Sequence, residues 1–153
     1  MVDSLSDQDR RQRAHSAVDQ VHDRLIVRDL YGLANVWAPH GTLEFPFAPP
    51  GFPRLRGRQE IIGYLREFFE ALRVTGIASE TRHETARPDT LVVEWEADAV
   101  GMRSGRRYRL PYVSIVEVGA LGVLSFRDYW SPLANGQALG RLDELIAMQE
   151  SAS

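Results

Sequence analysis

Cysteine and lysine are both missing from this sequence. Without cysteine there is no disulfide, no thiolate nucleophile and no Cys-ligated metal, a profile compatible with the cytoplasm. All 18 basic residues are arginine, which excludes a Schiff base on lysine. No apolar run approaches the roughly 20 residues of a membrane span. The start, MVDSLSDQDRRQRAHS, is too polar for a secretory signal, so a cytoplasmic location is expected. The net charge of -3 offers no electrostatic case for nucleic acid or an anionic membrane. A Gly-x-Ser-x-Gly elbow, a phosphate loop and a dinucleotide fingerprint are absent as well. His15 and His22 share a predicted helix without a carboxylate cluster and read as surface or packing residues. Neither a cofactor nor a metal is expected.

What is present suits one compact α+β domain. Apolar residues make up 44% of the 153 and charged residues 25%, enough for a core. A single domain over 7–150 is expected, with flexible ends at 1–6 and 151–153. A Ser and Asp capping signal opens a helix from Asp7 to Arg28, with Ala14, Val18, Val21 and Leu25 as its apolar stripe. LYGLANVWAP reads as a short second helix stopped before Pro39. GTLEFPF reads as a strand, and APPGFPRLRG as a loop that forms neither regular element. RQEIIGYLREFFEALRV predicts a third helix with Ile61, Leu65, Phe68 and Leu72 on its apolar side.

After Gly76 the pattern turns to strands. IASETRHETAR suits a polar edge strand. TLVVEWEADAV alternates Leu91, Val93, Trp95, Ala97 and Ala99 against Glu94, Glu96 and Asp98. RRYRLPYVSIVEV and GVLSFRDYW flank GALG, a turn that suits a hairpin. NGQALGRLDELIAMQES closes the chain as a short helix. Helices followed by antiparallel strands imply a curved sheet with helices packed on one side.

The stretch SFRDYWSP carries the chemistry. A two-residue period puts Leu124, Phe126, Asp128 and Trp130 on one face, so a carboxylate joins the more apolar side of a strand. An ionised carboxylate in an apolar cavity either finds a cation or keeps its proton. Desolvation raises its pKa toward neutrality, which suits a proton shuttle. The competing reading is a structural ion pair or a cap near the strand end. Trp37, Phe45, Phe47, Phe68, Trp95, Phe126 and Trp130 either line a pocket for a flat apolar ligand or form ordinary core. The loop FAPPGFP is either a lid over the pocket mouth or a rigid surface or dimer contact.

The order of elements, LYGLANVWAPHGTLEFPFAPP, then LRGRQEIIGYLREFF, then GRRYRLPYVSIVEV and GVLSFRDYW, resembles the SnoaL-like proteins over about residues 15–140. These belong to the nuclear transport factor two and ketosteroid isomerase superfamily. The resemblance implies a conical barrel: a curved, mostly antiparallel sheet with helices on its concave side, a long pocket, and a homodimer. Ketosteroid isomerases would place a base at Phe45 and oxyanion donors at Val21 and Val113; all three groups are missing here. Limonene-epoxide-hydrolase-like members use an Asp matching Asp128 to activate water. Their water-holding and acid positions fall at Leu43, Phe45, Trp95 and Ala97. Phenazine-biosynthesis relatives have a Glu at the Asp128 position, and a His and a Ser on the third helix that match Tyr64 and Phe68. SnoaL-type cyclases rely mainly on one aspartate, the arrangement this sequence retains.

One strand gives conflicting signals. Alternation buries Tyr108, Leu110, Tyr112, Ser114, Val116 and Val118, whereas the resemblance turns Val113 and Ile115 inward. Following the resemblance puts Val113 in the pocket; otherwise Tyr112 and Ser114 become polar partners for a ligand. The expected function is cofactor-independent isomerisation or cyclisation of a hydrophobic, polyketide-like or polycyclic small molecule. Asp128 would be the general acid/base. Trp130, Phe126, Trp95, Phe45, Phe47, Trp37, Tyr64, Phe68 and Val113 would contact the substrate. Epoxide hydrolysis and a non-catalytic ligand-binding or dimerisation module are the alternatives.

Overall fold

The computed structural model describes residues 4–152. The expected flexibility of 1–3 and 153 lies outside the described residues. α1 (Asp7–Val27) starts where Ser6 accepts a hydrogen bond from the Asp9 backbone, 3.1 Å away, with Asp7 and Asp9 in the first turn. It ends at Arg28, a non-glycine residue with φ of 59°. That left-handed residue is tied down from outside the helix. Its guanidinium donates to the carbonyls of Phe69 and Leu72 and sits 5.1 Å from the centre of the Phe69 ring.

α2 (Leu30–Ala34) is followed at once by β1 (Trp37–Glu44). Trp37 and Ala38 therefore belong to a strand rather than to the expected second helix. Pairing with the last strand decides this, because Trp37 lies opposite Val123 in a parallel ladder. β2 (Leu55–Arg56) corrects the loop assignment for this stretch: Leu55 buries its side chain and pairs opposite Leu43 on the otherwise free edge of β1. α3 (Arg58–Ala71) passes into β3 (Leu72–Glu84) with no loop. Leu72 and Val74 are thus strand residues, and Phe69, rather than Phe68, is the fully buried ring of α3.

β4 (Thr90–Gly101), β5 (Arg107–Gly119) and β6 (Gly122–Trp130) complete one sheet, before α4 (Pro132–Leu139) and α5 (Leu142–Ser151). The strand order is β2-β1-β6-β5-β4-β3; β1 and β6 run parallel and the other pairs antiparallel. The sheet does not close on itself, so helices finish the cone. α1 packs on β3, β4 and β5, while α3 packs on β1, β2 and β3. β3 is an edge strand, as its polar sequence suggests. Among the described residues no helix is long and apolar enough to cross a membrane.

Two facing assignments change in the sheet. β4 buries Leu91, Val93, Trp95, Ala97 and Ala99, matching its alternation. In β5, simple alternation prevails over the resemblance: Leu110, Tyr112, Ser114, Val116 and Val118 are buried, and Val113 and Ile115 lie on the other face. In β6, a register shift opposite Glu117 and Val118 turns Val123 inward and leaves Leu124 exposed. The strict period therefore holds only from Phe126 onward.

The hairpin between β5 and β6 turns at Ala120 and Leu121, and Gly122 has φ of 121°. A Cβ there would lie 2.5 Å from the Val36 carbonyl oxygen. Gly122→Ala is therefore expected to destabilise the fold by about 2–4 kcal/mol, read as a lower urea midpoint with an unchanged m-value.

Candidate active site

A cavity runs between the sheet and helices α1 and α3, with α4 across one end. It opens onto Asp128 and is otherwise walled mainly by aromatic and aliphatic side chains. β6 supplies Phe126, Asp128 and Trp130, because the bulge has already set their phase. β1 and the residue after it supply Trp37, Leu43 and Phe45. Tyr64 and Phe68 come from α3, Trp95 from β4, Tyr112 from β5 and Asn135 from α4. It holds about 70 Å³ of space for the centres of water molecules. That is room for on the order of five waters, or a ligand of about one or two rings.

Of the residues expected at the site, Asp128, Trp130, Phe126, Trp95, Phe45, Trp37, Tyr64 and Phe68 all line this cavity. Val113 does not, since it faces out of the sheet, and Tyr112 takes the inward position beside it. Phe47 is also outside. It is 64% exposed and makes an edge contact with Tyr129, ring centres 5.0 Å apart. The loop between β1 and β2 instead packs Phe52 against two residues of the cavity wall, its ring 5.4 Å from Phe45 and 5.5 Å from Trp130. Arg141, at the start of α5, covers Phe52 at 5.5 Å. Proline and glycine in that loop announced its irregularity, but no periodicity could assign its two phenylalanines to opposite sides.

Among the described residues Asp128 has no arginine partner. Its carboxylate Oδ1 accepts a hydrogen bond from the Ser114 hydroxyl, 3.0 Å away, and no other side-chain donor reaches it among the described residues. The residue is half-buried and lines the cavity. Burial therefore dominates, raising the carboxyl from the ordinary 3.8 to about 7, while the Ser114 bond opposes the rise. Two phenols face the same space. Burial, with a further contribution from Asp128, pushes both Tyr64 and Tyr112 upward, so each stays protonated and able to donate. Tyr112 spends its proton on Asn135 Oδ1 at 2.8 Å. Among the described residues Tyr64 has no hydrogen-bond partner, which leaves its hydroxyl for a ligand.

Asn135 was not legible as a site residue. It sits on α4, where Ser131 accepts from the Ala134 backbone as the helix cap. Its amide donates back to the Ser131 carbonyl at 3.2 Å. The signal was the Ser-Pro start of α4 directly after Trp130, which brings the next helical turn back over the strand end. A hollow lined by Tyr64, Glu67, Phe68, Ala71, Leu139 and Arg141 shares Tyr64, Phe68 and Leu139 with the cavity. It lies beside the cavity, between α3 and the turn that joins α4 to α5.

A family model described as a SnoaL-like domain matches residues 18–123. An uncharacterized PhzA/B-like protein of Pseudomonas aeruginosa is 34% identical over 125 residues, covering 81% of this chain and 88% of the relative. A solved Bacillus subtilis protein, provisionally described as an isomerase, superposes with a TM-score of 0.79 at 24% identity, over 90% of this chain and 97% of that one. A Xanthomonas campestris protein, provisionally described as a polyketide cyclase, gives 0.70 at 16% identity, over 87% and 98%. At such identities the structural matches establish the fold.

The raised carboxyl has a cost in stability. The folded protein keeps a proton on Asp128 that the unfolded chain has already lost, between pH 3.8 and about 7. Stability from this group is complete below the unfolded value and falls as pH rises through the folded one. Asp128→Asn removes that term. It is expected to raise stability at pH 8 by up to about 4 kcal/mol and to change it little at pH 4, measured by urea unfolding at both pH values.

Proposed function

This chain belongs to the SnoaL-like domain family, and from that premise we propose that it is an isomerase or cyclase working by proton transfer on an apolar, polyketide-like carbonyl compound. The observation that carries the reading is Asp128, an unpaired carboxyl tuned to about 7 in a cavity of aromatic walls. A group with that pKa gives up and regains a proton near neutral pH with little driving force lost in either direction.

The chemistry follows from the two free groups. An apolar ketone enters between α3 and α5 and lies against Trp130, Phe126 and Phe45. The Asp128 carboxylate takes a proton from the carbon next to the carbonyl. The C–H electron pair becomes the new C=C bond, and the carbonyl π pair moves onto oxygen. The Tyr64 hydroxyl donates a hydrogen bond to that oxygen as its charge develops. Returning the proton from Asp128 to a different carbon gives the isomer. If the enolate carbon instead attacks a second carbonyl of the same substrate, a ring closes and the proton goes to the new alkoxide. Either route balances with the chain's own carboxyl as the proton carrier. The cavity takes about one or two rings, so a larger substrate extends through the mouth past Glu67 and Arg141.

β-Tetralone in heavy water provides a direct test, with loss of its α-proton signals followed by NMR. The wild type is expected to catalyse exchange, with kcat/KM rising from acid pH to a plateau about a midpoint near 7. No high-pH fall is expected from Tyr64 in the neutral range, since its pKa is raised. Asp128→Asn should lower exchange about 10³-fold. Tyr64→Phe should lower it about 10²-fold while apolar ligand affinity changes little. Undiminished exchange in Asp128→Asn would end the acid/base reading. Binding without exchange would point to a ligand carrier, and oxygen from labelled water appearing in an apolar epoxide product would point to hydrolysis.

A further inference from the structure

Behind Asp128 lies a buried polar group that the proton shuttle itself does not use, the indole N–H of Trp95. It donates to Ser114 Oγ at 3.0 Å, and Ser114 donates in turn to Asp128 Oδ1 at 3.0 Å. Strand register produces the chain. Ser114 is the direct cross-strand partner of Asp128 on β6 and of Val93 on β4, which puts Trp95 diagonally beside it. Ser114 is 1% exposed, so no bulk water competes for its hydroxyl.

We propose that Trp95 and Ser114 form a one-way relay that commits the serine proton to Asp128 Oδ1 and leaves Oδ2 as the oxygen that gains and loses the proton. An indole nitrogen can only donate, whereas a hydroxyl has one proton and two lone pairs. With the indole occupying a lone pair, the serine proton has Asp128 Oδ1 as its acceptor. For Ser114 to accept from a protonated Asp128 on its second lone pair, its own proton would have to leave Oδ1, and among the described residues the serine has no other acceptor to turn to. Both residues are positioning residues; neither reaches the reacting carbon in this scheme.

The indole is itself held in place. The Trp95 ring lies between Tyr112, stacked at 4.5 Å and 19°, and His22, at 4.5 Å and 44°. His22 is anchored from the far side by Glu80, 2.9 Å from its Nδ1. Burial lowers the His22 pKa despite Glu80, so the imidazole is neutral at neutral pH and donates from Nδ1. The titratable groups facing Asp128 are Tyr64 from α3 and Tyr112 from β5, both held protonated. Glu67 and Arg141 stand further out at the mouth, and Glu80 and Arg82 on β3 lie behind the indole with Asp19 of α1. None of these donates to the carboxylate, so the serine bond is what opposes its desolvation.

The proposal rests on Asp128 as the proton-carrying group, yet it can be tested without a substrate. The carboxyl carbon resonance of Asp128 in isotopically labelled protein is titrated in wild type, Ser114→Ala and Trp95→Phe. Ser114→Ala loses a donor to the charged form. Trp95→Phe removes the indole donor that orients and polarises the serine hydroxyl toward the carboxylate. Both are expected to move the midpoint upward from the wild-type value near 7 by about one pH unit. Phenylalanine keeps a ring between His22 and Tyr112, so Trp95→Phe decides the matter if Ser114→Ala does not fold. A midpoint that stays put or falls in a folded variant overturns the relay. The pH dependence of β-tetralone exchange is read alongside, and its acid limb should move with the midpoint. A moved midpoint with no exchange in the wild type would overturn the proposed function while leaving the relay standing.

Discussion

The single hydrogen bond between Ser114 and Asp128 sets the terms for the rest of this molecule. A carboxyl that shares its cavity with Trp130, Phe126, Phe45 and Tyr64, and among the described residues has no cationic partner, carries a desolvation cost that only neutralisation or a donor relieves. One neutral donor relieves part of it. The result is a group near 7, neither locked as an anion nor permanently protonated. An arginine at the Ser114 position would have made the same aspartate an inert structural ion pair.

Holding that donor requires an ordered scaffold. The β4–β5–β6 register aligns Trp95, Ser114 and Asp128 on the inner face of the sheet, and the bulge near Val123 brings β6 into the correct phase. α1 covers the sheet from behind Trp95, so His22 can clamp the indole while Val21 and Leu25 line the cavity. α3 closes the opposite side with Tyr64, and α4 brings Asn135 to occupy the Tyr112 hydroxyl. The polar groups divide cleanly. Tyr112, Asn135 and Ser114 are bonded internally, while among the described residues Asp128 is bonded through Oδ1 alone and Tyr64 has no partner. Catalytic sites concentrate this kind of unspent hydrogen-bonding capacity, because a ligand, rather than the fold, is meant to complete it.

Much of this was legible from the residues alone. The run of helices followed by antiparallel strands, the inward face of β4, the hairpin at Gly119 to Gly122 and the peculiarity of Asp128 follow from periodicity and turn chemistry, whereas β2 and the division of the closing helix into α4 and α5 do not. These are local properties: backbone geometry repeats every two or 3.6 residues, and side-chain polarity reports directly on which side meets water. Eight of the nine aromatic and acidic residues that line the cavity were expected there from their residue types and the resemblance; the ninth, Tyr112, takes the place expected for Val113.

Tertiary structure decided whatever depended on a partner far away in the chain. Trp37 became a strand residue because Val123 was available to pair with it, and Leu55 did so because β1 had a free edge. Val113 and Leu124 face outward because pairing and a bulge, rather than family position or a strict period, fix the side each residue takes. Phe52 and Phe47 parted company across a loop that has no period to read. The relay from Trp95 through Ser114 to Asp128 spans three strands, and no sequence spacing encodes it. The sequence by itself determined which chemical groups the cavity would contain. Only the register of the sheet decided which of them would touch, because hydrogen bonds act over about 3 Å and residues this distant in the chain reach that range only in the folded protein.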